Sequence, residues 1–168
     1  MAWTSGTSTN ASDLFNKLIT FLTTNASLVA AGEAWTLLRR DTFTADTKRD
    51  LAELRGPGSS AGDAIYVQIS LLADAAAPAY SIRVLGSQSW LSSIPIINPE
   101  SQPGSIQSGA GSLGILPRMP IFNSAISYWF IANGRRFIVI AKSSAYWGSL
   151  YAGFFMPYGT PSQYPYPL

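Results

Sequence analysis

The chain has 168 residues, 47% hydrophobic and only 12% charged, with a formal net charge of +2. It contains neither cysteine nor histidine, which excludes disulfides, thiolate chemistry, His-based triads and the usual zinc and copper sites. The length fits one domain with a sizeable core, and the charge is too small to argue for nucleic acid. A charged share about half of the roughly 25% usual in globular domains, combined with many aromatics, predicts a surface partly hidden by partners.

The opening "MAWTSGTSTNASDLF" has no basic n-region and no apolar h-region, so no secretory signal is expected. No stretch reaches the roughly 18 apolar residues of a membrane span. The sequons at Asn10 and Asn25 then read as chance matches. "SDLFNKLITFLT" predicts one helix, with Ser12 as N-cap and Asp13 in the first turn. Leu14, Leu18, Ile19, Phe21 and Leu22 form its apolar stripe. "AWTLLRRD" predicts a first strand, Ala34 to Asp41. "TADTKRDLAELRGPG" is polar and reads as a loop or short helix that breaks at Gly56-Pro57-Gly58.

Residues 64–86 predict an antiparallel pair. In "AIYVQISLLAD" Ile65, Val67, Ile69 and Leu71 share a face; in "AYSIRVLGS" Ile82 and Val84 are set against Tyr80 and Leu85. Ile94 to Pro120 is a loop-rich region with five prolines. Then comes "YWFIANGRRFIVIAK", with Asn133-Gly134 between two apolar runs, the strongest short-range signal for a type I′ hairpin. That turn would set Phe130 opposite Phe137 and Trp129 opposite Ile138. One face then carries Tyr128, Phe130, Phe137 and Val139, the other Trp129, Ile131, Ile138 and Ile140. Both faces call for cover, where most surface hairpins bury only one. "AYWGSLYAGFFMPYG" suits a closely packed strand or a tight bend, and "TPSQYPYPL" an extended, polyproline-like arm. The expected fold is α+β: one N-terminal helix packed on a mainly antiparallel β-sheet, with long loops and an extended C-terminal arm. Residues 1–157 would form the domain and 158–168 the arm.

Chemical motifs are weak. "GAGSLG", Gly109 to Gly114, matches G-x-G-x-x-G but lacks the strand, helix and downstream acid that dinucleotide binding needs, so it reads as a loop. Glu33, Glu53, Asp63, Asp74 and Glu100 could supply a glycosidase pair, yet all sit in turn or charged helical text and read as solvated surface. Lys142 beside Ser143 would point to the opposite face of a strand, which argues against a Ser/Lys nucleophile. Arg39-Arg40 and Arg135-Arg136 each read as one ion-paired and one solvated arginine, or as interface salt bridges. After Glu100 there is no acid, and the only charges are Arg118, Arg135, Arg136 and Lys142. The late aromatics Tyr146, Trp147, Tyr151, Phe154, Phe155, Tyr158, Tyr164 and Tyr166 fit core and interface better than a sugar platform.

"YWFIANGRRFIVIAK", the ending "GFFMPYGTPSQYPYPL" and the opening "MAWTSGTSTNASDLFNKLITFLTTN" resemble a family of tailed-bacteriophage virion structural proteins encoded among tail and neck genes. The resemblance spans roughly residues 1–40 and 126–168 and carries no catalytic residues. It implies a non-enzymatic particle component at the neck, collar or tail periphery, made in the host cytoplasm and located in the virion. The expected partners are other copies of itself and other virion proteins, with no cofactor, metal, nucleic acid or membrane. The expected interface residues are Trp129, Ile131, Arg135, Arg136, Trp147, Tyr151, Tyr158, Tyr164 and Tyr166. The alternative is a receptor- or glycan-binding module of the baseplate or a tail fibre.

Overall fold

A computed structural model describes residues 1–43, 49–58, 64–73, 79–96, 101–105 and 118–153. Its elements are β1 (Ala2–Ser8), α1 (Ala11–Thr24), α2 (Ala26–Ala30), β2 (Thr36–Phe43), β3 (Arg49–Gly56), β4 (Ile65–Ala73), β5 (Ala79–Ser87), β6 (Arg118–Phe122), β7 (Ile126–Asn133), β8 (Arg136–Ser143) and β9 (Tyr146–Gly153). They form a four-stranded sheet, β1-β7-β8-β9, and a five-stranded sheet, β2-β3-β4-β5-β6. Every strand pair is antiparallel. The expected single sheet under one helix is therefore corrected: the chain is sheet-dominated, with two sheets sharing one core. Long loops and the arm at 158–168 fall largely outside the described residues.

Two strands account for the difference. β1 is polar text, "AWTSGTS", with no strand pattern of its own; seven continuous pairings with β7 make it a strand. β3 holds Asp50, Glu53 and Arg55, residues that favour helix or turn, yet it lies between β2 and β4. There Ala52 and Leu54 enter the core, and burial against neighbours overrides local preference. β4 and β5 pair as expected, but Tyr80 shares the face of Ile82 and Val84 and packs against the core.

The helix begins earlier than the apolar stripe suggests. Asn10, not Ser12, is the N-cap, and its side chain accepts from the Asp13 amide at 2.8 Å. Asn25 closes α1 and caps α2, accepting from Ser27 N and Leu28 N. Both sequon asparagines thus serve as helix caps, which satisfy otherwise orphaned amides. α1 buries Leu14, Phe15, Leu18, Ile19, Phe21 and Leu22.

The two sheets meet at β6 and β9. Away from that corner α1 lies between them, touching β1 and β7 of one sheet and β2 and β4 of the other. Phe15, Phe130 and Phe137 are among the largest fully buried side chains of this core. Arg40 reaches from β2 to Asp50 on β3 at 2.6 Å and lies over the Phe15 ring. Arg39, on the opposite face of β2, pairs with Asp41 at 2.6 Å. Both arginines of this pair are ion-paired, where one was expected to be solvated.

Candidate functional site: the outer face of the four-stranded sheet

The β7–β8 hairpin fixes this face. Its register differs by two residues from the sequence expectation: Asn133 pairs with Arg136, Phe130 with Val139 and Trp129 with Ile140. Neither Asn133 nor Gly134 takes a positive φ, so the type I′ turn is corrected. Instead the Asn133 carboxamide oxygen accepts from the Arg135 and Arg136 amides at 2.9 and 3.0 Å. The tip is also held from outside. Trp35 Nε1 donates to Asn133 O at 2.9 Å, and Gly58 N to Gly134 O at 2.8 Å. A Cβ on Gly134 would meet the Pro57 ring at 2.8 Å, so the tip demands glycine for close approach rather than for its φ.

A slip of two residues preserves the faces, because side chains alternate with period two. Ile126, Tyr128, Phe130, Ala132, Phe137, Val139 and Ala141 all point into the core. The other face can be read across the sheet in three rows. The first is Trp3, Ile131, Ile138 and Tyr151; the second Ser5, Trp129, Ile140 and Ser149; the third Thr7, Ser127, Lys142 and Trp147. Trp3 is 71% exposed and Trp147 62%, while Trp129, Ile131, Ile138, Ile140 and Tyr151 are half-buried. Trp129 stacks on Trp147 with ring centres 5.4 Å apart, and Lys142 Nζ lies 5.4 Å from the Trp147 ring centre.

The electrostatics of the face are one-sided. Arg136 at the hairpin end and Lys142 at the other bracket the apolar centre, and these rows hold no acid. Among the described residues neither Arg135 nor Arg136 has an ion-pair partner. Such a surface presents aromatic anchors and flanking cations, the composition that marks interface centres.

The five-stranded sheet differs. Residues 88–96 and 101–105 lie against its outer face: Gln68 Nε2 donates to Ile96 O at 2.6 Å and Trp90 Nε1 to Glu53 Oε2 at 2.7 Å. Gln102 bonds the Leu91 backbone through both its amide atoms. Glu53, Gln68 and Gln102 are buried there with partners. The four-stranded sheet has no such cover among the described residues.

The expected interface residues Trp129, Ile131, Trp147 and Tyr151 come together on this face, with Arg136 at its rim and half-buried Arg135 in the adjoining turn. Tyr158, Tyr164 and Tyr166 lie outside the described residues, as do Phe154, Phe155, Gly109 to Gly114, Asp63, Asp74 and Glu100. Trp3, Ile138, Ile140 and Lys142 complete the face but were not among the expected contacts. The hairpin alternation already grouped Ile138 and Ile140 with Trp129; Trp3 was hidden because β1 does not read as a strand.

Of the candidate acids, Glu53 is occupied by Trp90 and Glu33 by the Met1 ammonium at 2.8 Å. Ser143 is buried and accepts from Phe122 N at 3.2 Å, while Lys142 is exposed on the opposite face. Among the described residues no group of three or more acids could hold a metal ion, and no helix is long and apolar enough to cross a membrane. No protein-family model and no curated protein matches the chain.

Proposed function

We propose that this chain is a non-enzymatic structural component of a tailed-phage virion that oligomerises and contacts other particle proteins at the neck, collar or tail periphery. The observation that carries the contact role is the apolar, acid-free outer face of the four-stranded sheet, uncovered among the described residues. An exposed patch of this kind is costly on a lone soluble monomer and is relieved by a partner. Its place in a phage particle rests on the sequence resemblance alone. The test is solution mass by light scattering for the wild type and for Ile140→Lys, which puts a charge at the centre of the face. The wild type should form a discrete oligomer, and Ile140→Lys should lower its mass while retaining the far-UV spectrum. An Ile140→Lys variant of unchanged mass would remove this face from the assembly.

One observation favours the glycan-binding alternative: the stacked Trp129–Trp147 pair offers an exposed ring beside a cation. In that case a glycan array should give signals that vanish with Trp147→Ala, without any change in mass.

A further inference from the structure

The two sheets have four edge strands, β1, β9, β2 and β6, and an unprotected edge invites another strand. Three are guarded. β2 carries Arg39, Arg40 and Asp41 together with a register irregularity between Leu37 and Arg39. β9 and β6 lie against each other, so closely that a Cβ on Gly148 would come 2.6 Å from Met119. β6 adds Arg118 and Pro120. β1 has none of these devices. Its residues Ala2–Ser8 include no charge and no proline, and its register with β7 is unbroken. Among the described residues no backbone group on its outer side is bonded to another strand.

The space beside this edge is open and lined mostly by polar residues. A groove of about 460 Å³ lies between α1 and β1, lined by Thr4, Asn16, Lys17, Thr20, Phe21 and Thr24 among others. A strand added to β1 would direct alternate side chains toward this flank of α1, where they must tolerate polar neighbours. Of the inward positions of β1 itself, Ala2 and Ser8 are buried in their own copy's core, which leaves Thr4 and Gly6 to meet this flank.

We infer that β1 pairs antiparallel with β1 of a second copy about a two-fold axis at Ser5. This arrangement uses the whole strand: Ala2 faces the second copy's Ser8, Trp3 its Thr7, Thr4 its Gly6, and Ser5 its Ser5. No like charges oppose each other, and a two-fold contact needs only one self-complementary patch. Pairing would extend the four-stranded sheet of one copy into that of the other and merge their apolar outer faces. The inference specifies one contact within the oligomer proposed above and so rests on that reading.

Ser5 is exposed, so a charge there is compatible with the monomer fold. Ser5→Lys and Ser5→Glu should each abolish this contact, because like charges directly across a pair destabilise it. Added to Ile140→Lys, each variant by itself should halve the mass of the species that Ile140→Lys leaves. An equimolar mixture of the two, both carrying Ile140→Lys, should restore it, and native mass spectrometry should show mixed dimers only. A Ser5→Lys variant of unchanged mass, or a mixture that stays dissociated, overturns the β1 contact. If Ile140→Lys still lowers the mass in that event, the sheet-face reading survives the loss of this one.

Discussion

At the scale of single residues, the helix caps carry a readable energetic signature. Asn10 satisfies the Asp13 amide, and Asn10→Ala should cost about 1 kcal/mol in urea unfolding, as loss of an N-cap side chain usually does. Asp13 adds a pH dependence. Its carboxylate accepts from the Thr9 amide and pairs with Lys17 at 3.0 Å, and these hold its pKa below the ordinary carboxylate value. A group depressed in the folded state contributes stability that is present above its unfolded pKa of about 3.9 and is lost as pH falls through the folded value. Wild type minus Asp13→Asn stability should therefore be flat from neutral pH to about 5 and shrink below about 4. A difference that persisted at lower pH would mean that Asp13 acts by packing rather than by charge. Gly153 is a different kind of constraint. It sits at φ +139°, and a Cβ there would lie 2.4 Å from the Arg135 carbonyl oxygen, a backbone atom that cannot step aside. Gly153→Ala should cost at least about 2 kcal/mol in thermal unfolding.

At the scale of elements, legibility followed the strength of the local pattern. α1 was legible because its stripe recurs at helical spacing; only its start was misplaced, since Asn10 and Ser12 are both good caps and the stripe does not choose between them. The faces of the β7–β8 hairpin were legible too, because alternation survives a register slip of two. The turn itself was not, because contacts remote in sequence, Trp35 on Asn133 and Pro57 on Gly134, set its geometry. β1 and β3 were illegible for a related reason: each becomes a strand only between or beside partners. The Arg40–Asp50 bridge shows how such elements are joined, since it ties β2 to β3 while the guanidinium covers Phe15 of α1. A double-mutant cycle on Arg40→Ala and Asp50→Ala should return a coupling of about 1 kcal/mol, the scale of a partly exposed pair held by good geometry. Arg40→Ala alone should cost more than this coupling, because it also strips cover from Phe15.

At the scale of the whole molecule, one hairpin carries two apolar faces with unequal duties. The candidate contact face was legible in outline, because alternation separates Trp129, Ile131, Ile138 and Ile140 from the core set. Its extent was not, because Trp3 and Trp147 join it only through the strand order β1-β7-β8-β9. The inequality can be measured within a single strand. Phe137 is fully buried against Trp35, with ring centres 5.3 Å apart, and its neighbour Ile138 faces outward. Phe137→Ala should cost about 3–5 kcal/mol, as large-to-small changes in packed cores do. Ile138→Thr keeps the β-branch on the outer face, and at protein concentrations low enough to keep the chain monomeric it should cost less than about 1 kcal/mol. At concentrations that populate the oligomer, the same Ile138→Thr change should become costly, because a partner-covered face behaves as core. The apparent stability of the wild type should rise with protein concentration by mass action, and that of Ile138→Thr should rise less. Parallel curves for the two proteins across the concentration range would mean that no partner copy covers Ile138.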